Sequence, residues 1–268
     1  MIQSIFQAVQ AGDLDAVRYY LAHECNLDEV DEQGWTALHY AAEGGFLDIV
    51  DVLLQQGASL EVRNPAGYTP LQVMMICEQY SLALAHLFLS AGADAGSPLH
   101  RAVLLGDVAL LRQLLMEIDV NVRDAIGNAP LHLAVASNQR SMVELLLQYG
   151  ADVNAQDEHD TTSLVEAAAQ GFEPIISVLL QAGALVELRD YNGRVPLIFA
   201  VGNDHYSAAL QLLAAGAKIN VQDHFGNTPL HYAYENELFN HVKMLLDRGA
   251  NDLLKNEEGA CPIDLLPS

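Results

Sequence analysis

The chain has 268 residues, with 12 Lys and Arg against 35 Asp and Glu, and therefore a formal charge of −23 at pH 7. This charge argues against nucleic acid as a ligand, because each phosphate contact would add repulsion instead of releasing counterions. Hydrophobic residues make up 51% of the sequence, which excludes a disordered polyelectrolyte. No uncharged apolar run approaches the roughly 20 residues that span a bilayer, so we expect no membrane insertion.

The N-terminal sequence and the cysteines give a first expectation of location. No basic segment precedes an apolar stretch in the opening sequence MIQSIFQAVQAGDLD, which argues against a cleaved export signal. The three cysteines, Cys25, Cys77 and Cys261, form no pair with metal-ligand spacing. Scattered thiols in odd number are typical of a reducing compartment, and we therefore expect a cytoplasmic protein.

Three landmarks recur along the chain with one common spacing. An aliphatic residue, usually Leu after Pro, stands at positions 38, 71, 99, 131, 164, 197, 230 and 263. A Gly-Ala pair begins at positions 57, 92, 150, 183, 216 and 249. An Asp-x-x-Gly or Asn-x-x-Gly motif begins at positions 31, 64, 124, 190, 223 and 256. Their common phase, mostly with a period of about 33 residues, indicates a repeat protein.

In chain order, each repeat predicts a turn, a helix, a second turn and a second helix. Asp-x-x-Gly favours a tight turn, because Gly adopts positive φ and Asp accepts from the backbone two residues on. Thr69, Ser97 and Thr228 each precede Pro and are typical helix N-caps. A more apolar helix follows, and the Gly of the Gly-Ala pair ends it. Pro174 is expected in the first turn of such a helix, where it costs little.

These landmarks resemble the ankyrin repeat, whose unit carries Thr-Pro-Leu-His-x-Ala. The resemblance covers about residues 4 to 264 and implies an all-α solenoid of helix-turn-helix units joined by hairpin-like finger loops. We expect a single domain, 1–268, with about eight repeats and a C-terminal half-repeat or cap at 256–268. The eight repeats have the approximate bounds 1–30, 31–63, 64–95, 96–123, 124–156, 157–189, 190–222 and 223–255.

The third repeat departs from the pattern. The spacing from Gly92 to Leu99 is half the spacing from Gly150 to Leu164. Such a segment is too short for a finger, so we predict that one finger is missing near 93–98. Within the repeat, Leu71 and Gly92 are two positions further apart than their counterparts elsewhere, which predicts longer or irregular helices. A shaped binding site, a hinge between 1–95 and 96–268, and a drifted repeat without a role all remain open.

Histidine recurs directly after the repeat leucine, at positions 39, 100, 132 and 231. Recurrence at one repeat position favours a structural role, since catalysis needs groups that converge on one site. The resemblance implies that these imidazoles bond to backbone between adjacent repeats. The sequence contains no nucleotide-binding, zinc-protease or hydrolase motif. We therefore expect no enzyme activity, no metal and no cofactor.

The resemblance implies that fingertips and the first helix of each repeat form a concave binding face. Exposed aromatic side chains are frequent interface anchors. We predict that one group lies toward the N-terminus and a second, favoured group toward the C-terminus, with acidic residues interspersed along the same face. The predicted partner-binding residues are Trp35, Tyr40, Tyr68, Arg101, Glu166, Tyr191, Phe199, Phe225 and Tyr232. The alternative is that the aromatic residues only brace neighbouring fingers.

The expected function is non-catalytic binding of a protein segment, with a basic or mixed basic and apolar character, by a scaffold, adaptor or competitive inhibitor. A secreted bacterial effector that acts in a host cytoplasm is a narrower form of this expectation. We expect a monomer when the chain is free. Two alternatives remain: an enzyme or small-molecule site near the irregularity, around Glu78, His100 and Arg101, or a subunit of a homo- or hetero-oligomer.

Overall fold

The computed structural model describes residues 4–23, 26–76, 82–93 and 96–266. Within these ranges the regular structure is helical, apart from one isolated antiparallel bridge between Gln156 and Thr162. Sixteen α-helices form eight consecutive pairs in this part of the chain, as the eight predicted repeats require. The predicted all-α repeat architecture is confirmed.

The first helix of each pair is short and starts at the repeat leucine or just before it. These helices are α1 (Ile5–Gln10), α3 (Ala37–Glu43), α5 (Pro70–Ile76), α7 (Pro98–Leu104), α9 (Pro130–Ala136), α11 (Ser163–Ala169), α13 (Pro196–Gly202) and α15 (Pro229–Glu235). The repeat leucines of α3 to α15 are at most 1% exposed, so this residue anchors each pair in the core.

The second helix of each pair lies about three residues further along the chain in the regular repeats. These helices are α2 (Leu14–Leu21), α4 (Leu47–Gln55), α6 (Leu82–Ser90), α8 (Val108–Leu114), α10 (Arg140–Gln148), α12 (Glu173–Gln181), α14 (Tyr206–Ala214) and α16 (Phe239–Asp247). Pro174 lies in the first turn of α12, as predicted.

Helix starts follow the predicted capping chemistry with one exception. The Thr228 hydroxyl accepts the backbone N–H of His231 at the start of α15. Ser97 precedes α7 in the same way, but its hydroxyl lies 2.8 Å from His100 Nδ1 and makes no backbone cap. Ser97 therefore helps to position an imidazole instead of closing the helix end.

The chain forms two compact units, which we call unit 1 (Met1–Met116) and unit 2 (Glu117–Ser268). In unit 1, α1, α3 and α5 pack in order, as do α2, α4 and α6, and α6 packs on α7. In unit 2, the first helices α9, α11, α13 and α15 pack in order beside α10, α12 and α14. Residues 96–116 thus belong to unit 1, and the division lies after the position suggested for a hinge.

Each finger is a tight turn whose first side chain binds its own backbone. In the finger that precedes α13, Asp190 Oδ1 accepts the N–H groups of Asn192 and Arg194 at 3.0 and 2.7 Å. The Asp190 N–H in turn donates to the Arg194 carbonyl at 2.9 Å. This geometry holds one carboxylate oxygen in the turn and leaves Oδ2 for another partner.

The predicted irregularity has a structural counterpart in glycine packing. A Cβ atom on Gly127 (φ +77°) would lie 2.9 Å from the backbone nitrogen of Glu158 in the next finger. A Cβ atom on Gly67 (φ +88°) would meet nothing within 4 Å among the described residues. The finger of Gly67 is the one that precedes 93–98, so this gap is where a following finger would pack. The described residues place no finger beside Gly67, in agreement with the prediction; residues 94 and 95 lie outside them.

The described parts of the third-repeat helices have ordinary lengths. α5 has 7 residues and α6 has 9, the lengths found in the regular repeats. Both helices border 77–81, which lies outside the described residues, so the prediction of longer or irregular helices stays a prediction.

The last repeat is followed by a turn and a single 3₁₀ helix, Pro262–Leu265. This helix packs against α15, in the place of the next first helix. The segment from 256 onward is thus a half-repeat, as the sequence predicted.

Candidate functional site

The recurring histidines tie adjacent repeats together. His39 Nδ1 accepts the Thr36 backbone N–H at 3.2 Å, and since an N–H can only donate, the neutral ring donates from Nε2. His39 Nε2 lies 3.0 Å from the carbonyl oxygen of Tyr68 in the next finger. His231 repeats this arrangement. His132 Nδ1 likewise accepts the Ala129 N–H, whereas its Nε2 lies 3.0 Å from the carbonyl oxygen of Ala155, just before the next finger. Burial lowers the pKa of all three rings, which keeps them neutral at pH 7. The predicted structural role is confirmed for these three histidines, whereas the His100 ring contacts Ser97 of its own repeat.

Two aromatic site residues bind the aspartate of their own turn. Tyr232 donates its hydroxyl to Asp223 Oδ2 at 2.6 Å, and Tyr40 donates to Asp31 Oδ2 at 2.7 Å. Burial and the hydrogen bond to the carboxylate raise the pKa of Tyr40 to about 12, and the same causes raise the pKa of Tyr232. Both hydroxyls are therefore fixed donors, and both residues brace a finger against its helix.

In the repeat before Tyr232, an arginine replaces the tyrosine hydroxyl. Phe199 has no hydroxyl, and Asp190 Oδ2 instead accepts Arg194 Nε at 3.0 Å and Nη2 at 2.8 Å. The guanidinium lies over the Phe199 ring, with its carbon 4.3 Å from the ring centroid. Asp190 is buried, and this ion pair satisfies its second oxygen.

The repeat before Phe199 carries a second carboxylate at the same place. Asp157 Oδ1 accepts the N–H groups of His159 and Thr161, both at 2.8 Å. Among the described residues, no side chain donates to Asp157 Oδ2. Glu166, nine residues further on, is half-buried, and burial raises its pKa; a hydrogen bond from Gln170 opposes the rise and the Asp157 charge adds to it. This is an uncompensated acidic position.

The fingertips of unit 2 expose two large aromatic side chains. Tyr191 is 58% exposed and Phe225 is 55% exposed. The Tyr191 ring also contacts His159, with 6.0 Å between ring centroids. The backbone N–H of Tyr191 donates to the His159 carbonyl at 3.1 Å, so this fingertip is held against the preceding one. These fingertips therefore present apolar surface, and the backbone of Tyr191 is held in place.

The predicted N-terminal group lies in unit 1 and is mostly internal. Tyr40 is only 7% exposed, and its ring packs on Trp35 with 5.1 Å between centroids. The prediction of an exposed anchor is wrong for Tyr40, because its hydroxyl is held by Asp31 inside the repeat. Trp35 and Tyr68 are half-buried, and Arg101 is exposed on α7. The sequence-based preference for the C-terminal group stays a prediction.

The sequence analysis missed the aspartates and the arginine that organise these positions. The first-helix aromatic residues Phe199 and Tyr232 are held in place by contacts with Arg194 and Asp223, and Arg194 in turn binds Asp190. Neither the two aspartates nor the arginine was predicted as a site residue. A signal was present, because a turn Asp and a first-helix aromatic residue are nine positions apart in three repeats: Asp31 and Tyr40, Asp190 and Phe199, Asp223 and Tyr232.

The described residues offer little other chemistry. They contain no group of three or more His, Cys, Asp or Glu side chains that could hold a metal ion. Cys261 is a free thiol, and Cys25 and Cys77 lie outside the described residues. The alternative site near the irregularity relied on Glu78, which also lies outside them. No described helix has the length and apolar character needed to cross a membrane.

Comparison with known proteins decides the family. A family model described as "Ankyrin repeats (3 copies)" matches residues 5–79, 73–157 and 164–256. The chain belongs to the ankyrin repeat family. Ankyrin repeats generally mediate protein–protein interaction, and their stacked repeats present extended binding surfaces.

Similar proteins differ widely in size and description. The chain is 32% identical over 159 residues to the putative ankyrin repeat protein YahD of Escherichia coli, covering 54% of this chain and 78% of that protein. It is 30% identical over 152 residues to the potassium channel AKT2/3 of Arabidopsis thaliana, covering 55% of this chain but only 19% of the channel. It is 28% identical over 151 residues to alpha-latrotoxin-Lt1a of Latrodectus tredecimguttatus, covering 54% of this chain and 9% of the toxin. The chain thus spans only a small part of these two longer relatives.

Proposed function

We propose that the first-helix and fingertip face of unit 2 binds a segment of another protein in which a Lys or Arg stands next to an apolar side chain. The ankyrin repeat protein would act without catalysis, as a scaffold, adaptor or competitive inhibitor. The observation that carries this proposal is the acidic position at Asp157 and Glu166, which lies beside a position where the same protein binds a guanidinium.

The neighbouring repeat supplies an internal example of the ligand. Arg194 binds Asp190 Oδ2 through Nε and Nη2 while its guanidinium covers the Phe199 ring. One repeat earlier, Thr161 stands in place of the arginine and is too short to reach the carboxylate oxygen in this way. A partner's arginine or lysine is the group that would fill the equivalent place.

Charge and exposure support the same partner. Residues 117–268 contain 8 Lys and Arg against 21 Asp and Glu, and this excess attracts a basic segment and speeds its association. Tyr191 and Phe225 offer apolar surface on the adjacent fingertips. The acidic position at Asp157 and Glu166 would select a basic side chain, and the aromatic residues would supply most of the affinity.

A displayed library of random peptides, panned on the purified chain, tests the proposal without a known partner. We expect enriched peptides to carry Lys or Arg beside an aromatic or aliphatic residue. Replacing Glu166 with Gln should weaken the selected peptides about three- to tenfold and reduce the dependence of their affinity on salt. Glu173→Gln is the matched control, because Glu173 is an exposed carboxylate on the second helix α12.

Two results would contradict the proposal. One is enrichment of acidic or uncharged peptides, and the other is an equal affinity loss in E166Q and E173Q. Tyr191→Ala and Phe225→Ala should each weaken binding at least tenfold with little change in thermal stability, because both side chains are more than half exposed.

Action in the cytoplasm, or in a host cytoplasm if the protein is a secreted effector, is likewise a proposal. It is supported by the sparse cysteines of the sequence. We also propose that the free chain is a monomer, and light scattering would test this directly.

A further inference from the structure

A histidine occupies a core position of the last complete repeat. His241 is the third residue of α16, and its side chain is 0% exposed. The third residues of α4, α10 and α12 are Ile49, Met142 and Ile175, and they are at most 2% exposed. An imidazole therefore lies where other repeats place an aliphatic side chain.

The ring has little polar compensation. Among the described residues, neither ring nitrogen of His241 has a hydrogen-bond partner. Nδ1 lies 3.3 Å from Asp204 Oδ1, but not in hydrogen-bond alignment, and the Asp204 carboxylate is 70% exposed. The ring of Tyr206 meets the imidazole edge-on, with 5.3 Å between centroids. A buried polar group with unmet hydrogen bonds is costly, so this is a weak point in the packing.

Charged groups surround the ring without favouring one sign. Titratable and charged side chains reach it or the adjoining cavity of about 380 Å³ from α16, α14 and the turn before α14: Asp204, His205, Tyr206, Lys243, Asp247 and Arg248. From α15, which also packs on α16, the carboxylate of Glu235 is exposed. The two carboxylates and two cations of the cavity balance, so the cavity selects no ligand charge.

Burial favours the neutral form of this imidazole. It lowers the pKa of His241, with Asp204 opposing the shift and His205 adding to it. When the repeat opens, the ring returns to water and to an ordinary pKa of about 6.5. The open form then binds the proton more tightly than the closed form. The free energy needed to open the repeat is therefore highest above about pH 6.5 and decreases as the pH falls below that value.

The position of α16 makes opening local. Among the described residues, the second helix that contacts α16 is α14, through Tyr206 and His241, and the 3₁₀ helix packs on α15 instead. A helix with few packed neighbours opens locally at lower free energy than a helix that is packed on both sides.

We propose that His241 makes the last complete repeat, 223–255, an acid-sensitive element that opens reversibly when the imidazole takes up a proton. The repeat contains Phe225 and Tyr232, so opening would also dismantle part of the proposed binding face. That consequence rests on the proposed function, whereas the opening itself does not.

Hydrogen exchange measured by mass spectrometry from pH 7.5 to 5.5 tests the opening directly. After correction for intrinsic exchange, the opening constant of α15 and α16 should rise below pH 6.5 by up to about tenfold per pH unit for each histidine that takes up a proton. His231, also buried in α15, contributes one such proton. His241→Met introduces the side chain that α10 has at the equivalent position. The pH dependence of the opening constant should then decrease by the contribution of one proton.

A surface histidine provides the matched control. His224 is an exposed fingertip residue of the same repeat, and His224→Gln should leave the slope unchanged. In the unsubstituted chain, an NMR titration should place the midpoint of His241 below 6.5. A midpoint at or above 6.5, or an equal slope in H241M and the unsubstituted chain, would overturn the proposal. Peptide binding is not used in this test, so it can fail independently of the proposed function.

Discussion

In unit 2 an Arg or Gln recurs at one position of each repeat, and its side chain joins one finger to the next. Arg123, Gln156, Arg189 and Gln222 stand directly before the turn residue of consecutive fingers, and each donates to two carbonyls. One carbonyl lies in the same finger, and the other lies at the equivalent place before the next finger. Arg189, for example, donates at 2.6 Å and 2.8 Å. The result is a continuous ladder of hydrogen bonds.

Unit 1 has only a fragment of this ladder. The corresponding residue before the first turn is Val30, whose side chain has no donor. Arg63 stands before the second turn and donates to the Gly67 carbonyl at 2.7 Å, its one hydrogen bond among the described residues. One repeat period after Arg63 stands Gly96, in the short segment before α7. The comparison shows that each finger stabilises the one before it, so a missing finger weakens its predecessor.

Paired glycine substitutions should show this difference most strongly. Gly127→Ala forces a side chain into positive φ and into the backbone of Glu158, and we expect it to lower the free energy of unfolding by about 3 to 4 kcal/mol. Gly67→Ala carries the same conformational cost without the collision, so about 1 to 2 kcal/mol is expected. Urea unfolding followed by circular dichroism measures both values.

The two glycines are well matched, since both occupy the fourth position of a finger turn with similar φ values of +77° and +88°. Equal losses in G127A and G67A would mean that the backbone conformation, not the following finger, determines the cost. That outcome would remove the packing argument for the missing finger.

Arginine substitutions should show a smaller effect in the same direction. Arg189→Ala loses two hydrogen bonds to carbonyls, and because Arg189 is largely exposed we expect a loss of only about 1 to 1.5 kcal/mol. Arg63→Ala loses one, and about 0.5 kcal/mol is expected. Thermal unfolding of both variants in the same buffer gives the ranking.

Arg189→Gln is the control for this pair. Gln156 and Gln222 make the same two bonds in neighbouring fingers, so R189Q should retain most of the stability lost in R189A. If R189Q unfolds like R189A, the guanidinium acts through its charge and the ladder is not the reason for the effect.

The sequence predicted those features that repeat and missed those that depend on one partner. Period and turn chemistry sufficed for the eight helix pairs and for the missing finger, because each landmark acts locally. They did not reveal that Tyr40 is buried, since its exposure depends on a hydrogen bond to Asp31. They also did not reveal that Arg194 covers Phe199, because a five-residue separation in sequence carries no sign of ring stacking.

A reciprocal exchange at the histidine position tests the smallest difference between the units. His231 Nδ1 accepts the Thr228 N–H, and Nε2 donates to the Ala260 carbonyl of the next finger at 3.2 Å. In the third repeat, which lies in unit 1, the equivalent residue is Gln72, whose Oε1 accepts the Thr69 N–H at 2.9 Å. Glutamine thus preserves the first bond, and His231→Gln should lose only the second, about 1 kcal/mol at pH 7.5.

The reverse substitution should gain nothing. His39 and His231 reach a carbonyl 29 residues later, in the following finger. The same separation counted from position 72 leads to Arg101, which lies in α7 and not in a finger. Within the part of the chain that the structure describes, Gln72→His therefore has no fingertip carbonyl to receive its Nε2–H, and urea unfolding at pH 7.5 should show no stabilisation. A gain near that lost in H231Q would place a carbonyl acceptor beside residue 72, and a finger would then exist where glycine packing and the ladder both indicate that it is missing.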